Sequence, residues 1–189
     1  MMIKIKALLI LITFSGFVSA QTDTSKTLQG GGVDQHILDS LGLVNPELQK
    51  KYNEGVRALT SQNFMEASQR FTEVILMNPS YGAAYYNRGL AYKGLAMNDK
   101  AVADFNRAIE LDPTNAEAAY VKAKLFEESG DFEQAANAYK QAGEIDKTNE
   151  TYPYFQGVAL FQMEKYNEAI VAFDEAIRRK SDYAYAYID

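Results

Sequence analysis

Tyr52, Tyr86, Tyr120 and Tyr154 are spaced by 34 residues, and other positions keep the same interval. Gly55, Gly89 and Gly157 repeat with it, with Ala123 in the remaining slot. Ala67, Ala101, Ala135 and Ala169 form a second series; Phe71, Phe105, Tyr139 and Phe173 a third; Val74, Ala108, Ala142 and Ala176 a fourth. A fixed period of this length means stacked copies of one supersecondary unit that share a continuous core. Such arrays usually present surfaces to partners rather than active sites.

Within each period the pattern predicts two helices of roughly 14 to 16 residues joined by a tight turn. The predicted pairs are 46–61 and 64–77, 80–95 and 98–111, 114–129 and 132–145, and 148–163 and 166–180. Asn45-Pro46-Glu47 starts the first: Asn caps, Pro fits the first turn, and Glu favours the positive end of the helix dipole. Ser61-Gln62-Asn63, Met97-Asn98-Asp99, Ser129-Gly130-Asp131 and Glu164-Lys165 read as the turns. Asn78-Pro79 and Asp112-Pro113 close the second helices of the first two units, because proline removes a donor and pushes the residue before it out of helical geometry. The recurrent Gly and Ala positions predict close crossings of the paired helices, with Phe71, Phe105, Tyr139 and Phe173 filling the space beyond.

The pattern resembles the tetratricopeptide repeat (TPR) family, over Leu48 to Tyr183. The family's small residue falls on Gly55, Gly89, Ala123 and Gly157, its alanine on Ala67, Ala101, Ala135 and Ala169, and its aromatic on Phe71, Phe105, Tyr139 and Phe173. The late proline is absent at Lys147 and Ser181, and Val74 stands where alanine is usual. The resemblance implies an all-α, right-handed solenoid of four antiparallel helix pairs, with repeats at 48–81, 82–115, 116–149 and 150–183 and the start of a fifth at 184–189.

It also implies a concave groove lined by the first helix of each pair. Mapped here, the groove takes Gln49, Tyr52, Val56, Leu59 and Thr60, then Ala83, Tyr86, Leu90 and Lys93. Glu117, Tyr120, Lys124, Glu127 and Glu128 follow, then Thr151, Tyr154, Val158, Phe161 and Gln162. Tyrosine at the repeating position is ordinary in the family and serves first to pack adjacent first helices, with partner contact as a second role for the same rings. Members that grip acidic chaperone tails resemble one another in a clamp of lysines, arginine and asparagines. Its positions here are Tyr52, Val56, Asn87, Glu117 and Val121; only Asn87 fits, and Glu117 would repel a carboxylate.

The first twenty residues carry a separate message. Met1 to Lys6 is short and basic, Ala7 to Val18 is nearly unbroken apolar sequence, and Val18-Ser19-Ala20 places small residues before Gln21. That order predicts a secretory signal peptide, cleaved after Ala20. An uncleaved anchor would need about 20 apolar residues to span the hydrocarbon core, and the stretch is shorter. Export to a periplasm or the extracellular space, in association with the cell envelope, is the expected consequence, with no membrane span left after cleavage. Residues 21–45 then read as a Thr-rich, glycine-ended linker and a short helix around Val33, Ile37, Leu38 and Leu41. That helix is expected to cap the first repeat, with docking to another protein as its alternative role.

With 25 acidic against 19 basic residues and no basic run, nucleic-acid binding is not expected. There is no cysteine, so disulfides and thiolate chemistry are excluded. His36 is the only histidine, and neither a nucleophile–base pair, a metal-ligand set nor a phosphate loop is recognisable, so no enzyme, metal or cofactor is expected. The candidate partner-binding residues are Gln49, Tyr52, Val56, Tyr86, Asn87, Leu90, Lys93, Tyr120, Lys124, Glu127, Tyr154, Val158 and Phe161. The expected ligand is a protein segment, extended or helical. The alternative is a subunit or truncated piece of a larger envelope assembly that joins, or self-associates, through an uncapped C-terminal face. This reading follows from Tyr183 to Ile188, which run in register with Tyr81 to Tyr86 before the sequence stops.

Overall fold

The computed structural model describes residues 45–180. The expected signal peptide, nearly all of the linker, the lead-in helix and the start of a fifth repeat lie outside the described residues. Eight helices and no strand occur among the described residues: α1 (Pro46–Thr60), α2 (Phe64–Met77), α3 (Gly82–Gly94), α4 (Asn98–Leu111), α5 (Ala116–Glu128), α6 (Phe132–Ile145), α7 (Thr151–Gln162) and α8 (Tyr166–Arg179). They pack in sequence order, pairwise within repeats 1 to 4 and then each second helix against the next first helix. This is the all-α repeat array that the period predicts.

Two local devices recur along the array. Each hairpin turn closes with a left-handed residue, Gln62, Ala96, Gly130 or Glu164, at φ of 59°, 56°, 79° and 60°. The next amide returns to the first helix: Asn63 N to Ala58 O, Met97 N to Tyr92 O, Asp131 N to Phe126 O and Lys165 N to Leu160 O, at 2.8 to 3.0 Å. This is a Schellman closure, which satisfies carbonyls the helix end leaves open. The turn of repeat 2 is thus Leu95-Ala96-Met97, not Met97-Asn98-Asp99, because Asn98 already belongs to α4.

The second device sits between repeats. Asn78, Asp112 and Asp146 each turn a side-chain oxygen onto the amide two residues ahead, at 3.0, 3.1 and 2.9 Å. Thr114 and Thr148 add hydroxyl bonds to the same oxygens at 2.6 Å. These turns hold the backbone out of helical geometry. Hence α3, α5 and α7 begin at Gly82, Ala116 and Thr151 rather than at 80, 114 and 148. At Lys147, where proline is missing, Asp146 and Thr148 still make the same turn.

The core confirms the role of small residues and changes its cause. A Cβ on Gly55, Gly89 or Gly157 would stand 2.8, 2.7 or 2.6 Å from the ring of Phe71, Phe105 or Phe173. The aromatic therefore lies directly against the first helix of its own repeat, rather than filling space beyond an alanine contact. Phe71, Phe105 and Tyr139 are fully buried, as are Ala67, Ala101 and Ala135.

Candidate functional site

Each ladder tyrosine rests on the core aromatic of its own repeat. Ring centroids are 5.7 Å apart for Tyr52 and Phe71, 6.0 Å for Tyr86 and Phe105, 5.9 Å for Tyr120 and Tyr139, and 5.8 Å for Tyr154 and Phe173. Tilted and edge contacts at these distances are favourable, so the ladder is first of all part of the packing. Tyr120 also meets Tyr152 and Phe155 of the next repeat, at 5.6 and 6.2 Å. Burial, with a smaller contribution from neighbouring Tyr81, pushes the Tyr52 phenol up to about 12. Burial first, then the charge of Glu117, raises that of Tyr86.

Direct bonds between first helices tie the wall together. Asn87 Nδ2 donates to Tyr52 Oη at 2.8 Å, so the one residue that fits the chaperone-tail clamp is committed to the preceding repeat. Lys93 Nζ reaches Glu128 Oε1 at 2.8 Å. Lys124 bonds Glu127 Oε2 at 2.7 Å and lies 4.8 Å over the Phe155 ring. Glu127 also accepts from Tyr139 Oη at 2.6 Å. Burial alone would raise the Glu127 carboxyl, but these two donors outweigh it and hold it below its ordinary value.

The remaining candidates divide by exposure. Gln49 bonds Asn53 in its own helix at 3.0 Å. Val56 half-packs on the repeat 1 core, Leu90 on the cluster around Phe105 and Leu125, and Val158 on that around Tyr139 and Phe173. Phe161 is 44% exposed and meets Tyr166 edge-on at 5.4 Å. Glu117 is exposed and makes no hydrogen bond or ion pair among the described residues.

Some of what matters here was not legible in the sequence. Arg88 clamps Asp104 through two bonds, at 2.7 and 2.8 Å, and adds a third to Thr72 Oγ1 at 3.1 Å. Beyond Phe161, α8 exposes Tyr166, Ile170 and Val171 at 52%, 57% and 68%. Comparison of Ile170 with its counterparts at the same interval, Ser68, Val102 and Ala136, would have marked it as large and apolar. No group of His, Cys, Asp or Glu among the described residues could hold a metal ion, and no described helix is long and apolar enough to cross a membrane.

The family profile for the tetratricopeptide repeat matches residues 52–93, and the one described as anaphase-promoting complex, cyclosome, subunit 3 matches residues 95–176. No curated relative matches the chain. Among solved structures, a crystal structure of MamA is 22% identical, with a TM-score of 0.61 over 70% of this chain and 78% of that one. MamA from residue 41 to its end, from Desulfovibrio magneticus RS-1, is 18% identical, with a TM-score of 0.64 over 76% and 81%. At these identities the likeness is one of fold. The repeated small and aromatic positions, the helix pairs they build and the matching profile agree, and the described residues form an all-α array of the tetratricopeptide-repeat type.

Proposed function

We propose that this protein is a non-catalytic protein-interaction scaffold that binds a helical or extended partner segment along its first helices. The observation that supports this reading is the bracing of the wall from repeat to repeat, through Tyr52 and Asn87 and through Lys93 and Glu128. A surface fixed before the partner arrives loses less freedom on binding. Because Tyr86 and Tyr120 belong to the packing, their replacement would confuse folding with binding. Phe161→Ser and Gln49→Glu alter exposed or half-exposed groups and are the better probes. Cross-linking to an envelope partner should fall for at least one of them while circular dichroism stays unchanged. Full capture by both folded variants would count against the wall.

A second reading has its own support: assembly through α8, whose Tyr166, Ile170 and Val171 form an exposed apolar patch continuous with Phe161. In either case we propose that the chain is exported to the cell envelope after loss of residues 1–20. Sequencing of the mature N-terminus should then begin at Gln21, and an intact Met1 would contradict export by cleavage.

A further inference from the structure

The outward face of α8 corresponds to the face by which each earlier second helix meets the first helix of the following repeat. In α2 that face is Phe64, Ser68, Thr72 and Ile75; its counterparts in α8, at the repeat interval, are Tyr166, Ile170, Asp174 and Ile177. Contacts mark it as an interface all along the array. The Phe64 ring lies 2.6 Å from where a Cβ on Gly94 of α3 would stand. Thr72 Oγ1 accepts from Arg88 of α3 at 3.1 Å, and Asn106 Oδ1 accepts from Lys122 of α5 at 3.0 Å. A Cβ on Gly143 of α6 would stand 3.6 Å from the Cβ of Tyr152 of α7. Where the interface is closed, Ser68 and Ala136 are 6% and 5% exposed and Val102 is half-buried; on α8 the equivalent Ile170 is 57% exposed.

Two of the three helices that close this face share a pattern; α7, which faces Lys140 rather than an uncharged residue, carries Tyr152, Gln156 and Ala159 at the same positions. In α3 the pattern is Ala84, Arg88 and Ala91; in α5 it is Ala118, Lys122 and Leu125. Small or apolar residues seat at the two ends and are at most 3% exposed, while a cation between them reaches the middle of the preceding helix. On α8 that middle position is Asp174, exposed and without a hydrogen bond or ion pair among the described residues. A carboxylate there suits a cation better than the hydroxyl of Thr72 or the amide of Asn106.

A second copy of this chain is a poor occupant. The matching face of α1 is Lys50, Glu54 and Arg57, which sets Glu54, already 3.3 Å from Arg70, opposite Asp174. Two α8 faces set together would concentrate their Asp174 carboxylates in one patch. Like charges at close range disfavour both arrangements.

Resting on the second reading above, we propose that α8 docks an amphipathic helix of another protein, one that carries Lys or Arg between two small or apolar residues, with the cation paired to Asp174. The helix lies where α3, α5 and α7 lie on their predecessors. The test uses the full chain and a labelled, helix-stabilised peptide of the α5 sequence, residues 116–128, read by fluorescence anisotropy. The wild-type chain should bind it, and Ile170→Glu should abolish binding. Lys122→Glu in the peptide should weaken binding about tenfold, and Asp174→Lys in the chain should restore it. No binding by the stabilised peptide, or binding indifferent to both chain variants, overturns the proposal. Envelope capture that still depends on Ile170 would in that event leave the assembly reading standing. Because the chain has no cysteine, Ile177→Cys with Ala186→Cys supplies a further arm, sited by analogy with the 3.6 Å approach of Gly143 to Tyr152. An intramolecular disulfide would show that the chain's own Tyr183–Ile188 occupies the face and would also overturn the proposal.

Discussion

In repeat 2, Arg88 grips Asp104 with two short bonds between α3 and α4; in repeat 3 the same two positions hold Lys122 and Ala138. The contrast continues along the helices. Repeat 2 sets Gly89 against the Phe105 ring, whereas repeat 3 has Ala123 and Tyr139, whose hydroxyl bonds Glu127 and whose ring stacks on Phe155 of the next repeat at 5.5 Å and 22°. Repeat 2 turns through Ala96, repeat 3 through Gly130. One backbone thus accepts two fillings. The ring against a small residue is constant, while the polar links around it are chosen repeat by repeat.

The largest difference should come from the ion pair. Asp104 is 5% exposed, and removing it leaves Arg88 half-desolvated with Thr72 as its remaining bonded partner. Asp104→Ala should lower stability by about 3–5 kcal/mol, the usual cost of breaking a buried pair. The double replacement Arg88→Met with Asp104→Leu should cost much less, since no charge is left stranded. Urea unfolding followed by circular dichroism reads both. If the double variant is as unstable as Asp104→Ala alone, the pair acts through packing and the contrast with Ala138 means little.

Next comes the slot beneath the ring. Gly89→Ala drives a Cβ to 2.7 Å from Phe105, a fully buried ring with little room to yield. Overpacking costs about 1–3 kcal/mol, of which the better helix propensity of alanine returns only about 1. In repeat 3 alanine is already accommodated, so Ala123→Gly should cost about 1–2 kcal/mol, from backbone entropy and the loss of a fully buried methyl. A stabilised Gly89→Ala variant would show that the close approach of ring and helix is not a constraint.

These contrasts also show what a sequence of this kind displays and what it hides. The period announces helix pairs and their core because burial recurs at fixed positions, and Phe71, Phe105, Tyr139 and Phe173 all fall where that logic puts them. The helix starts were displaced because Asp146-Lys147-Thr148 makes a turn through side-chain oxygen, a signal easily overlooked when proline is taken as the marker. Size alone told that Gly89 must be small, but not that Phe105 rather than another helix sets the limit. The links of Tyr52 to Asn87 and of Lys93 to Glu128 join different repeats, so they depend on how neighbouring first helices sit side by side. Of the candidate wall, positions were therefore legible and bonding was not.

A smaller and pH-dependent difference attaches to Tyr139. Its hydroxyl and Lys124 hold the Glu127 carboxyl below its ordinary value despite burial. A carboxyl depressed in the folded state contributes stability that is present above its unfolded pKa and lost as pH falls through the folded one. Tyr139→Phe, which gives repeat 3 the ring of its neighbours, should cost about 1–3 kcal/mol at neutral pH by removing a bond to a charged acceptor. The gap between variant and wild type should narrow in acid as Glu127 protonates. Unfolding curves at pH 7 and pH 4 test this, and a gap that widens in acid would contradict it.

The smallest effect lies in the turns, where the two repeats make opposite choices at one left-handed position. Ala96 holds φ of 56° with a Cβ that crowds the following carbonyl, while Gly130 holds 79° with none. Both close the same bond, Met97 N to Tyr92 O at 2.9 Å and Asp131 N to Phe126 O at 2.9 Å, so the closure itself does not distinguish them. Relief of strain at Ala96→Gly competes with the greater freedom that glycine gives the unfolded chain, and at a positive φ the strain is the larger quantity. Ala96→Gly should therefore raise stability by about 0.5–1 kcal/mol and Gly130→Ala should lower it by a similar amount. Beyond residue 130 and its two chain neighbours, no heavy atom lies within 4 Å of the Cβ that Gly130→Ala would add, so any loss there isolates backbone strain from crowding by the rest of the fold. Equal melting midpoints for Gly130→Ala and the wild type would mean that the turn, not the residue in it, sets the left-handed conformation without appreciable cost.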